Sequence, residues 1–259
     1  MASKTLKTKP LIEAIFEVRW KLQTPAPDKQ FDPHYRLLLA RFFDRVRGDY
    51  PVQQMLPAAQ FPDHLVPYAV QHRFRAIDDG WPLIQLGPGI FTVNDTEKYE
   101  WKDFQTRTKA AVSKLFDAHP KTDEFKVENL LLRYINEINF DYRNEDVFDF
   151  LRNKLGITVG LPQGLFSENA VLSRSDDFSW HSVFPCKTPK GIVALKFNTG
   201  LRDSDKKPVL RWETMLVSIG GDLPEMPKDF DDWFFAAHNV LEDWFFKLIA
   251  GGLEAEFNK

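Results

Sequence analysis

His238 and Glu242 stand four residues apart in a segment of helical periodicity, so they meet one turn apart on the same face. A carboxylate placed this way can orient an imidazole that works as a general base. A solvated i,i+4 contact on an amphipathic helix has the same spacing. Cys186, the only cysteine, has His181 five residues before it. A thiolate nucleophile needs a base and an oxyanion site in space, which that separation does not supply, so a passive cysteine is expected. The six histidines form neither HExxH nor a zinc-spaced Cys/His cluster. Asp176-Asp177 is the ordinary hydrated pair of a loop. GxSxG, GxxxxGK[ST], a helix-opening GxGxxG and the kinase motifs are all missing. Gly87-Pro88-Gly89 could cradle phosphate only before a helix; Ile90-Phe91-Thr92-Val93 continues as strand, so a bulge or bend is expected. No cofactor or metal is expected, and the balance leans away from an enzyme.

Three groups of side chains could still make a site. Glu13, Glu17 and Arg19 alternate along one strand, and Arg133 and Glu137 along another. Across a sheet they would form either register-fixing salt bridges or a charged ligand or partner face. Trp233, Phe235, Trp244 and Phe246 crowd a C-terminal helix and form a candidate partner surface. Arg36, Arg41 and Arg45, with Lys102 and Lys109, form a candidate basic patch for nucleic acid, although solvated helix faces read alike.

The elements that must position these groups begin at Pro10–Leu22. Ile12, Ala14, Phe16, Val18, Trp20 and Leu22 are apolar, while Glu13, Glu17, Arg19 and Lys21 alternate with them, which predicts a strand with one buried face. A helix follows over 34–50. Pro51 to Pro67 reads as an irregular connection, 66–77 as a strand, and 83–93 as a strand interrupted at Gly87-Pro88-Gly89. Asn94-Asp95-Thr96 offers a cap for a helix over 97–118, ended by His119-Pro120. Val127 to Phe140 is apolar on both faces and predicts a central strand covered on both sides. This order, βαββαβ, is the ferredoxin-like pattern. In it the first and fourth strands are expected to share a face without being neighbours.

The second half predicts a short helix over 146–155 with Gly156 as its C-terminal cap. A strand is possible around Val171 to Arg174. Strands over 192–198 and 209–219 flank a charged hairpin, 202–207. A long aromatic helix begins at an Asp229 cap and ends at Gly251-Gly252. The chain thus divides into an N-terminal half, 1–140, and a C-terminal half, 146–259, sharing an interface or one core. The class is α+β, with a mixed or antiparallel sheet and packed helices.

Composition narrows the function classes. The 259 residues are 43% hydrophobic and 27% charged, as in ordinary globular proteins. A 14% aromatic share, with 23 Phe and 7 Trp, promises ring-rich packing. Net charge of −3 argues against a general polyanion binder. A single cysteine allows no internal disulfide and fits a reducing compartment. No apolar segment follows Lys4, Lys7 and Lys9 as a secretory leader would require, and no apolar run approaches the roughly 20 residues of a membrane span. A cytoplasmic protein is expected.

Pro10-Leu11-Ile12-Glu13-Ala14-Ile15-Phe16-Glu17-Val18-Arg19, Leu86-Gly87-Pro88-Gly89 through Val93-Asn94, and Arg133-Tyr134-Ile135-Asn136 together resemble a sporadically distributed family of uncharacterised prokaryotic proteins of this length. The first stretch, PL-x-EA-x-FE-x-R, is the more specific. The resemblance carries no activity, cofactor or site residue. Patchy distribution implies an accessory gene, of the defence or toxin–antitoxin kind. Three functions follow as expectations. The first is a non-catalytic protein-interaction component, self-associating or bound to a protein partner. The second is a nucleic-acid-binding or RNA-processing protein, by analogy with ferredoxin-like sheets. The third is a small-ligand or nucleotide sensor using the charged face.

Overall fold

The alternation at the start of the chain becomes β1 (Leu11–Trp20), with Ala14, Phe16, Val18 and Trp20 buried and Glu13, Ile15, Glu17 and Arg19 half-buried. A register shift between Leu11 and Glu13 buries Leu11 and leaves Ile12, expected on the buried face, exposed. The structure, a computed structural model, describes residues 6–26, 29–96, 98–166, 170–250 and 252–259. Lys4, Glu97 and Gly251, which entered the sequence reading, lie outside the described residues. β2 (Gln23–Ala26) and β3 (Lys29–Phe31) pair as a small separate sheet. There follow α1 (Tyr35–Val46), β4 (Val52–Met55), β5 (His72–Arg75), β6 (Leu83–Gly87), β7 (Ile90–Asp95), α2 (Trp101–Ala118) and β8 (Val127–Asn139). The second half supplies α3 (Val147–Leu155), β9 (Ser179–Lys187), β10 (Lys190–Leu201), β11 (Pro208–Ile219), α4 (Phe230–Ile249) and α5 (Leu253–Phe257).

Several elements depart from expectation for identifiable reasons. The 83–93 strand is two strands: Gly87 pairs with Ile90 across Pro88-Gly89, and Gly89 takes φ +76°, so the glycine makes a tight hairpin rather than a bulge. The 66–77 strand shrinks to β5, and the proline-rich connection contains the edge strand β4. Asn94 and Asp95 finish β7 instead of capping α2, and Asp95 pairs with Arg107 at 2.6 Å. Asp229 makes no side-chain cap on α4, whereas Asp146 accepts from the N–H groups of Phe148 and Asp149, and Gly156 ends α3 in the left-handed region. Val171 to Arg174 is not a strand; the outermost strand is β9, whose mostly exposed side chains leave no alternation to detect.

Nine strands form one antiparallel sheet in the order β4-β5-β6-β7-β1-β8-β11-β10-β9. β1 and β8 are direct neighbours, with Phe16 opposite Leu132, which corrects the expectation that they are held apart. β8 pairs on its other side with β11, so the sheet runs unbroken from one half of the chain to the other. One face carries the helices. Phe16, Val18, Leu130 and Leu132 pack with side chains of α1, α2 and α4, and Phe16 is ringed by Phe230 and Phe234 at 5.1 and 5.3 Å. Phe197, Leu210 and Trp212 on the same face pack with α3, α5 and the end of α4. The opposite face of β8, Leu131, Arg133 and Ile135, is only half-buried. Its apolar residues therefore do not reflect the two covering layers that sequence suggested.

Candidate functional site

On the helix side of β8, Tyr134 and Asn136 stand two residues apart in a row with Leu130, Leu132 and Ile138. Side chains of residues i and i+2 point the same way, so both polar tips enter the space between the sheet and α4 and need partners there. Tyr134 has two. Its hydroxyl lies 2.9 Å from His238 Nδ1 on α4 and 2.9 Å from the hydroxyl of Tyr99, in the loop before α2. Trp101, at the start of α2, stacks on the His238 ring at 3.6 Å between centroids and 11° between planes. His238 Nε2 faces Glu242 Oε1 at 3.7 Å, beyond direct hydrogen-bond range. The pair singled out from spacing is therefore the end of a longer chain, Tyr99–Tyr134–His238, clamped by an indole.

These side chains line a cavity of about 420 Å³. Its walls are Leu6, Pro10, Leu11, Leu241, Phe245 and Phe246, and its polar lining comprises Lys9, Tyr99, Glu100, Trp101, Lys102, Tyr134, Asn136, His238 and Glu242. Lys9 is already committed: Nζ donates to the Tyr99 carbonyl oxygen at 2.8 Å and pairs with Glu100. This combination of apolar walls with a few convergent polar groups is the usual make-up of a small-molecule site.

Burial decides what the polar groups can do. It pushes His238 down to about 3, so the imidazole is neutral at physiological pH and a poor proton acceptor. Burial also raises both tyrosines: Tyr134 against the opposing hydrogen bond from Tyr99, and Tyr99 with the added effect of Tyr134 beside it. Both stay protonated. The chain is an uncharged set of hydrogen-bonding groups, suited to holding a ligand and ill-suited to general base work near neutrality.

The other candidates are distributed differently. Glu137, buried on the open sheet face, is held by Arg202 at 2.6 Å and Arg211 at 2.7 Å. Glu17 pairs with Arg19 at 2.7 Å, and Arg133 faces Glu213 at 3.6 Å. Glu13 accepts from Asn94 Nδ2 at 2.8 Å; burial raises its carboxyl, against the lowering effects of that bond and of Arg133. Glu13, Glu17, Arg19, Arg133 and Glu137 thus share one face, as their alternation implied, but in separate contacts: Glu17 with Arg19 inside β1, Glu13 with Asn94 of β7, and Arg133 and Glu137 with β11 and the loop after β10.

The aromatic partner surface is corrected at Trp233, which is 4% exposed and donates to Ser218 Oγ at 2.8 Å within the core. Phe235 is 51% exposed, Trp244 packs its ring on Phe184 at 5.4 Å, and Phe246 lines the cavity. The helical period places these four around α4 instead of on one side. The basic patch is also dispersed. Arg45 donates to the carbonyls of Arg41 and Asp117, Lys109 pairs with Asp231 at 2.8 Å, and Arg36 and Arg41 are exposed on α1. Lys102 sits at the opposite end of α2 from Asp117, about 22 Å away at the helical rise. His181 and Cys186 fall on opposite faces of β9, an odd and an even position of one strand, so the imidazole cannot serve the thiol. Asp176 contacts Arg174 at 3.4 Å, and among the described residues no cluster of His, Cys, Asp and Glu could hold a metal ion.

Sequence reasoning missed Tyr99, Trp101, Tyr134 and Asn136 as site residues. The signal was the last two, polar side chains on the apolar face of a central strand.

No protein-family model matches the chain, and no curated protein matches it. Among solved structures, the chain is 9% identical to an unknown protein from Galdieria sulphuraria, covering 91% of this chain and 94% of that one with a TM-score of 0.14. A likeness at that level carries no argument about fold or function. No helix among the described residues is long and apolar enough to cross a membrane.

Proposed function

We propose that the protein is a non-catalytic binding component that recognises a small molecule in the cavity between β8, α2 and α4. The supporting observation is the uncharged Tyr99–Tyr134–His238 chain at an apolar-walled cavity of about 420 Å³. This is the sensor reading, moved from the charged sheet face, whose groups have ion-pair or hydrogen-bond partners of their own, to the helix side. Membership of an accessory defence or toxin–antitoxin-like module rests on the resemblance at Pro10–Arg19. The strand order β6-β7-β1-β8, with α1 and α2 in the two crossovers, supports a ferredoxin-like reading of the N-terminal half.

Thermal unfolding against a panel of metabolites and nucleotides tests this proposal. A ligand present at 100 times its Kd adds about 2.7 kcal/mol to stability, a readily measured rise in midpoint. A panel in which no compound raises the midpoint argues against the reading.

A second reading, self-association or a protein partner, is favoured by β9. This edge strand exposes Val183 and Phe184 at 47% and 42%, and among the described residues no strand lies beyond it. Light scattering on the purified chain tests it: a dimer lost on Val183→Lys supports it, and a monomer at high concentration opposes self-association. The five basic residues are too dispersed to support nucleic-acid binding.

A further inference from the structure

We propose that the cavity takes a monocarboxylate whose apolar body carries one further, neutral acceptor oxygen; this rests on the ligand-binding reading above. Two independent observations on the cavity lining lead there.

The first is the start of α2. This 18-residue helix opens on the cavity wall at Trp101 and Lys102, and no side chain caps it at Glu100. The first-turn N–H groups of Trp101, Lys102 and Asp103 have no acceptor among the described residues. The positive end of the helix dipole therefore meets the cavity with no acceptor for these donors among the described residues, which favours an anion. Lys102 adds a full positive charge at the same place and forms no ion pair among the described residues, whereas Lys9 is held by Tyr99 and Glu100.

The second is Asn136. It lines the same cavity, is 2% exposed, and its Nδ2 has no hydrogen-bond partner among the described residues. Buried donors are nearly always satisfied, so an orphan in a cavity wall marks a missing acceptor. Lys9, two residues from Leu11, the β1 partner of Asn136, is already held by Tyr99 and Glu100, and Tyr134, two residues along the strand, is a neutral hydroxyl engaged with Tyr99 and His238. A charged oxygen there would be uncompensated, so the acceptor is neutral, as in an amide or ketone carbonyl. Leu11, Leu241, Phe245 and Phe246 in the same lining supply the surface for an apolar body. Glu242 on the α4 wall opposes a second negative charge, which limits the ligand to a monoanion.

Titration calorimetry on the full chain with N-acetylphenylalanine, its uncharged C-terminal amide and 3-phenylpropionate tests both features. The acid has the charge and the acceptor, the amide lacks the charge, and phenylpropionate lacks the acceptor. The expected result is that the acid binds at least ten-fold more tightly than either relative. Lys102→Gln, at an exposed position, should reduce the preference over the amide, the helix N-terminus keeping the remainder. Asn136→Leu should erase the preference over phenylpropionate, with urea midpoints confirming that both variants fold. Equal binding of acid and amide overturns the anion site while the ligand-binding reading stands. The same holds if none of the three binds but an uncharged compound of the panel does. If nothing binds at all, both fall.

Discussion

Tyr134 Oη and His238 Nδ1 lie 2.9 Å apart, joining the centre of β8 to the centre of α4 across 104 residues of chain. The contact ties the sheet to α4 beside the cavity. It also fixes the imidazole against Trp101 and leaves Nε2 facing Glu242.

Tyr134→Phe removes the middle hydroxyl and leaves Tyr99 and His238 without their shared partner. Losing a buried hydrogen bond while its partners stay buried costs about 1–3 kcal/mol. Urea unfolding should show that loss with an unchanged m-value, because the surface exposed on unfolding hardly changes.

The depressed His238 gives stability a defined pH dependence. Its imidazole has an ordinary value near 6.5 in the unfolded chain and about 3 in the folded one. Below about 6.5 the unfolded state binds a proton that the native state refuses, so this contribution is fully present above 6.5 and lost as pH falls towards 3. The slope is up to about 1.4 kcal/mol per pH unit. Stability curves of wild type and His238→Gln between pH 7 and 4 should differ by a slope of this sign, and parallel curves would refute the assignment.

Glu137 anchors the charged sheet face through Arg202 and Arg211. Glu137→Ala should destabilise by about 3 kcal/mol, since removing one partner of a buried pair strands the others. Ligand-induced thermal shifts should persist in this variant, because the residue lies on the face away from the cavity. Their loss would return the charged face to consideration as the binding site.

The two aromatic neighbours on α4 should separate cleanly. Trp233→Ala opens a hole beside Phe16 and removes the bond to Ser218, a loss of about 3–5 kcal/mol. Phe235→Ala, at an exposed site, should cost about 0.5 kcal/mol or less. Chemical denaturation of both variants checks this.

Much of the fold is legible in local pattern. The alternation of β1, the cap and glycine of α3 and the aromatic period of α4 each record a physical need that one segment satisfies by itself. β9 is not legible, because an edge strand with mostly exposed side chains has no core face to encode. The neighbouring of β1 and β8 is a property of topology, invisible within either strand. The site was half legible: helical spacing marks His238 and Glu242, and Tyr134 and Asn136 stand out on an apolar face. That Tyr99 and Trp101 close over them depends on where the loop before α2 returns, which no local pattern states.

The most direct test of the cavity as the binding site is thermal unfolding of wild type and Leu11→Trp with the strongest stabiliser found by the panel. Leu11 lines the cavity, and an indole there would occupy ligand space. The ligand should raise the wild-type midpoint in a concentration-dependent way and leave that of folded Leu11→Trp unmoved. An equal rise in both proteins would contradict the account and place binding elsewhere on the molecule.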